Sequence, residues 1–203
     1  MAPLRAALDG AYHREAITSR PALLHGVARL TRGGGQRTVK VSVQHEKSAL
    51  ITAAIAIEDK KFDEGREYCV KALQLDPKFF PALFNLAEIP FMQGKYAEAR
   101  LAYEKLLDDE SSADLIKFRL YLTYLLEKND EVAKQLLEKI PLLNDSPIYF
   151  YGSAAWEFAH GDEKKVQGYL NSAETVFPKS KRGSFVDVFY DICWMKRPTG
   201  AEQ

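Results

Sequence analysis

Two stretches decide the fold, FDEGREYCVKALQLDP at residues 62–77 and YAEARLAYEKLLDDES at residues 96–111. Set one above the other at an offset of 34 residues, Phe62, Gly65, Cys69 and Ala72 fall on Tyr96, Ala99, Tyr103 and Leu106. In both, apolar residues return at steps of three and four, the stripe of an amphipathic helix. A fixed period of this length, with small and large residues alternating, is the signature of stacked helix hairpins. Asp76-Pro77 closes the first stretch and Pro178 closes a later one, since proline cannot continue a helix.

Working outward, the chain divides into rows at 46–79, 80–113, 114–146 and 147–180, the third one residue short. In the second row Leu83, Leu86 and Ala87 form a stripe that Gly94 ends; Tyr96, Ala99, Tyr103, Leu106 and Leu107 form the stripe of its partner. The break at Gln93-Gly94-Lys95 is short, so the two helices must lie antiparallel. Gly65 and Ala99 fall where helices cross at roughly 8–10 Å, and a larger side chain would push them apart.

These residues resemble the tetratricopeptide repeat, whose pattern runs W-x2-L-G-x2-Y, then A-x3-F, then P. Row two matches best, with Leu86-Ala87, Gly94-Lys95-Tyr96, Ala99 and Tyr103. Row one offers Phe62, Gly65, Cys69, Ala72-Leu73 and Leu75-Asp76-Pro77; row four offers Gly161, Val166, Leu170, Ala173 and Pro178. Row three keeps Leu120, Tyr124, Ala133 and Leu137 but has Asp145 at the closing proline. The resemblance implies an all-α hairpin solenoid of about four repeats over residues 46–180; outside it, the residues themselves read as a C-terminal capping helix over Arg182–Lys196 and an irregular basic N-terminal arm. That final helix carries Phe185, Val188, Phe189, Ile192 and Cys193 at helical spacing, and solenoids need such an element to cover the last apolar face.

Pro90 departs from the pattern inside Ala87-Glu88-Ile89-Pro90-Phe91. It removes one backbone hydrogen bond and predicts a kinked or shortened helix. Either the bend is merely tolerated, or it re-aims Phe91 and Met92 toward a ligand.

Charge is balanced, with 28 basic and 28 acidic residues. The balance hides an asymmetry: residues 1–45 hold seven basic residues against two acids, a net of +5, which leaves −5 for the rest. A basic arm precedes an acidic body. Residues 1–45 read as an extra docked helical segment, a flexible arm or a removable leader, with Arg32-Gly33-Gly34-Gly35-Gln36-Arg37 as a flexible linker. A cytoplasmic protein is favoured, and an organelle leader in residues 1–45 stays open. No run of 18 apolar residues exists to span a membrane. Both cysteines, Cys69 and Cys193, read as small buried hydrophobes rather than a disulfide scaffold.

The sequence offers no catalytic chemistry. His13, His25, His45 and His160 share no ligand spacing with the cysteines or with paired carboxylates, so no metal is expected. Gly33-Gly34-Gly35 lacks the phosphate-loop pattern, so no nucleotide or other cofactor is expected. No serine, cysteine or lysine stands in a nucleophile arrangement, and nucleic acid is an unfavoured partner for an acidic body.

In the family that the rows resemble, the first helix of each hairpin lines a concave groove. Carried over by repeat position, that implies a peptide-binding groove of Leu50, Phe84, Glu88, Phe91, Met92, Phe118, Leu122, Tyr151 and Phe158. Arg119, together with Asn85, matches a chaperone-binding member's carboxylate clamp. Leu50, Ala54 and Leu115 stand at the clamp's other cationic and polar places, so a free carboxylate would lack partners there. The trough is therefore apolar, fit for an amphipathic helix or extended peptide. Its leucines have the alternative of packing between rows. The occupant could equally be a partner protein, a second copy or the chain's own arm. The expected role is a non-enzymatic adaptor that binds a protein or peptide; the alternative is a structural, self-associating subunit. An open groove further implies that Phe84→Ala with Phe118→Ala would abolish partner capture and leave the melting temperature nearly intact.

Overall fold

The computed structural model describes residues 36–107, 113–142 and 145–196. Through them run helices α1 (Gln36–Glu58), α2 (Phe62–Leu75), α3 (Phe80–Met92), α4 (Tyr96–Glu104), α5 (Ala113–Leu126), α6 (Asp130–Glu138), α7 (Ile148–His160), α8 (Glu163–Val176) and α9 (Lys179–Asp191). Short turns oblige α1/α2, α3/α4, α5/α6 and α7/α8 to pair as antiparallel hairpins. The all-α hairpin solenoid is what the chain forms, and α9 follows its last hairpin.

One device ends the first helix of every hairpin. Lys60, Gly94, Lys128 and Gly161 lie in the left-handed region, with φ of 60°, 74°, 60° and 79°. The residue after each donates its N–H back five residues: Lys61 to Ala56, Lys95 to Pro90, Asn129 to Tyr124 and Asp162 to Glu157, at 2.8–3.0 Å. This 6→1 bond, with a 5→2 bond from the left-handed residue itself, satisfies carbonyls that a helix end would leave bare. The second helix then starts at once, and in hairpins three and four its first N–H groups meet the side chains of Asn129 and Asp162.

Two of these positions are lysine, which bears a steric cost that glycine avoids. Opposite signs are therefore expected in urea denaturation. Gly94→Ala should lose about 1 kcal/mol through backbone strain alone, because no atom lies within 4 Å of the added Cβ. Lys128→Gly should gain a few tenths to about 1 kcal/mol. Equal losses for both would refute this account of the turns.

Packing divides into two apolar bodies. Leu50, Ala53 and Ile57 of α1, Cys69 and Ala72 of α2, and Ala82 and Ile89 of α3 form the smaller. The larger runs from Phe84 and Phe91 through Tyr103, Phe118, Tyr121, Tyr151 and Val166 to Phe185 and Phe189. Helix α3 stands between the two, which is why FPALFNLAEIPFM is apolar on every side. Gly65 permits the close crossing of α1 and α2, since a Cβ there would sit 2.5 Å from Ile57 Cγ1. Burial raises the Cys69 thiol to about 12, so it stays neutral and packs as an apolar side chain.

Three sequence expectations change. Helix α1 begins at Gln36, so Gln36 and Arg37, expected at the end of the linker, and residues 38–45, expected in the arm, are helical, because neither glycine nor proline interrupts 36–58; the rest of the arm lies outside the described residues. Helix α3 runs through Pro90 to Met92 and is 13 residues long, the same length as α7, so it is not shortened. Pro90 comes late enough that its carbonyl accepts from Lys95 in the terminal turn. Finally, α9 stops at Asp191, and Cys193 is exposed at φ 61°, outside the helix. Trp194 N–H to the Phe189 carbonyl (2.8 Å) and Cys193 N–H to the Tyr190 carbonyl (3.2 Å) close α9 with the same turn that ends the first helix of each hairpin.

Candidate functional site

Helix α9 follows the extended pair Phe177-Pro178, whose ψ values of 139° and 155° turn the chain back over the first helices of the hairpins. Its Phe185 ring lies 5.3 Å from Phe118 on α5 and 5.8 Å from Tyr151 on α7, centroid to centroid. Phe189 lies 6.3 Å from Phe118, 6.0 Å from Tyr151 and 5.2 Å from Phe158. Trp194 then stacks on Phe158 at 5.3 Å. Offset and edge contacts of this kind add to the burial of the rings.

The side chains expected along an open groove are consequently interior. Leu50, Phe84, Glu88, Phe91, Phe118, Arg119, Leu122 and Tyr151 are each 2 % exposed or less. Leu50 belongs to the smaller core and is not brought to the others. Met92 and Phe158 are half-buried at the margin of the larger one. In this conformation the trough is filled, on the α5 and α7 side by the chain's own C-terminal helix.

At its centre stands a buried ion pair. Arg119 Nε donates to Glu88 Oε1 at 2.8 Å, and the Tyr103 hydroxyl donates to the same oxygen. Arg119 Nη2 reaches on to the main-chain carbonyl of Ser184 in α9, at 3.3 Å. Its guanidinium carbon lies 5.7 Å from the Phe84 ring, 6.0 Å from Phe91 and 5.9 Å from Phe118. Burial opposes the charge, but the Glu88 carboxylate and then Tyr103 outweigh it, so Arg119 is held charged above its ordinary value. Burial first, and then Glu88, raise the Tyr103 hydroxyl, which stays a neutral donor. One cluster thus joins α3, α4, α5 and α9.

Glu88 therefore has a different role from the one its groove position implied: it neutralises Arg119. That also removes the one clamp cation that the sequence retained. The pairing had a signal, since Glu88 is the one charged residue in FPALFNLAEIPFM, and a buried charge requires a partner. The cover provided by α9 had none, because helical spacing reveals an apolar face but not what that face meets.

A smaller contact links α6 to α7. His160 stacks on Trp156 at 4.1 Å, its Nδ1 lies 2.7 Å from the Trp156 carbonyl, and its Nε2 lies 3.2 Å from Asp130 Oδ2. Both oxygens are acceptors, so the doubly protonated ring alone can satisfy them, and its pKa is raised by the Trp156 carbonyl and Asp130. A raised folded-state value gives stability that is present below the unfolded value of about 6.5 and lost as pH climbs through the folded one. The melting temperature should fall slightly from pH 6 to pH 8, and His160→Gln should abolish that slope. An unchanged slope in the variant would rule His160 out as its source.

Fold and interior together define an all-helical hairpin-repeat scaffold, with no metal-binding group of three His, Cys, Asp or Glu among the described residues. The family model for the tetratricopeptide repeat matches residues 56–110, from the end of α1 past α4. That segment, about a quarter of the chain, is similar to the tetratricopeptide repeat, and the hairpins after it continue the helical-repeat architecture. Such repeats generally mediate protein–protein interaction. No curated protein matches the chain. Among the described residues no helix is long and apolar enough to cross a membrane.

Proposed function

We propose that this protein is a non-enzymatic adaptor whose concave face, built from α5 and α7, binds an amphipathic helix of a partner protein. One observation carries the reading: an amphipathic helix, α9, already lies on that face through Phe185, Val188 and Phe189. Its apolar residues fall at i, i+3 and i+4, the anchor spacing of helix-in-groove recognition. The helix has little stability of its own. It has no acid in its first turn, no side-chain N-cap, and Lys179 and Lys181 at its positive end. Thirteen residues are marginal for a helix alone in water. Its order thus depends on the face beneath it.

The test uses a synthetic peptide of residues 179–196 and the full chain carrying Phe185→Ala and Phe189→Ala, which empties the seat. Calorimetry should give saturable one-to-one binding, and a further Phe158→Asp should weaken it at least tenfold. No binding by a variant whose circular dichroism retains the other helices would refute the groove.

A further inference from the structure

We infer that α9 is an internal competitor, an intramolecular ligand that keeps the concave face closed until a partner helix of similar pattern displaces it. The inference rests on the reading above and adds its regulation and the partner's chemistry.

The attachment of α9 combines a specific central seat with polar tethers at its edge. At the seat, Phe185 and Phe189 enter the aromatic set of Phe118, Tyr151 and Phe158, while Arg119 reaches the Ser184 carbonyl. Small residues, Gly183 and Ser184, precede Phe185, which lets the arginine approach the helix backbone. At the edge, Lys181 Nζ donates to the Asp145 carbonyl at 2.9 Å and Arg182 pairs with Glu174 at 2.8 Å. Lys181 and Glu174 face solvent, so each contact is weak individually, while Arg182 is half-buried and also donates from Nε to the Phe177 carbonyl at 3.0 Å. The two-residue connection Phe177-Pro178 is already extended, so α9 can leave without unwinding α8.

These contacts describe the occupant. It is a helix with two small residues followed by Phe-x-x-Val-Phe and basic residues at its N-terminal end, on a body whose charge after residue 45 is −5. A tethered copy competes at millimolar effective concentration, so an outside helix must bind the open face much better than it binds the closed one.

Fluorescein-labelled peptide 179–196 is titrated into three full-length chains: wild type, Phe185→Ala with Phe189→Ala, and Lys181→Ala with Arg182→Ala. The tether variant keeps Phe185 and Phe189, losing only the Arg182 contact to the Tyr151 hydroxyl at the rim of the seat, and covers the case in which the phenylalanine variant unfolds. The phenylalanine variant should bind at least tenfold tighter than wild type, and the tether variant about threefold tighter. Equal affinity for all three would overturn competition by α9 while leaving the groove reading intact; absence of binding by all three would remove both. Light scattering accompanies the titration, and a wild-type dimer that exchanges α9 between copies would overturn the partner-helix assignment in favour of a second copy.

Discussion

Replacing Arg119 with alanine should lower the unfolding free energy by about 3–5 kcal/mol, read by urea denaturation. The loss would come less from the missing attraction than from what remains. Glu88 is 1 % exposed, and without Arg119 its carboxylate would keep the Tyr103 hydroxyl as its hydrogen-bond donor in a pocket walled by Phe84 and Phe91. A buried ion pair is weak support compared with apolar packing, so removing both charges should be far milder than removing one. The double variant Glu88→Leu with Arg119→Met is expected to recover most of the loss. If the single and double effects simply add, the two charges are not coupled and the cluster does not hold α3 to α5. The same variants report on α9, because Arg119 also supports Ser184: amide exchange across α9 should accelerate in the double variant Glu88→Leu with Arg119→Met even though its global stability recovers.

Phe118→Ala should cost a similar amount, about 3–5 kcal/mol, through lost burial and the cavity left behind. Phe118 is fully buried and its ring meets Tyr121, Phe185 and Phe189. Phe84 is buried to the same degree and meets Phe80 and Tyr103. Substituting both therefore cannot spare the melting temperature, as an open groove would have allowed. The two losses should also fail to add, because both rings contact the Arg119 guanidinium. Thermal melts followed by circular dichroism decide this. A Phe118→Ala protein that melts like wild type would mean that α9 does not seat where the rings place it. Phe158, half-buried at the margin, is the better position for disturbing recognition with a smaller loss of stability.

How much of this was legible beforehand depends on whether a feature is local. The 34-residue offset between Phe62 and Tyr96, with Gly65 and Ala99 at the crossings, determined an all-α hairpin repeat, since periodicity and small-residue spacing are properties of neighbours along the chain. Gly94 and Gly161 marked two of the turns. Lys60 and Lys128 sit at equivalent places without any compositional mark, because the 6→1 and 5→2 bonds compensate for a side chain that the conformation disfavours. The aromatic residues Phe84, Phe91, Phe118, Tyr151 and Phe158 were equally visible as a set facing one way.

What faces them was decided only in three dimensions. Phe185 and Phe189 lie at the same helical spacing whether α9 merely caps the last hairpin or also crosses onto α5, and spacing cannot separate those outcomes. The angle set at Phe177-Pro178 and the reach of Arg119 to Ser184 do separate them. The amino-acid order alone thus determined an apolar, aromatic face along the repeat helices. The tertiary structure decided that this surface is occupied by the chain itself, because burying apolar faces depends on where a turn directs the next helix, and not on the residues of either face taken separately.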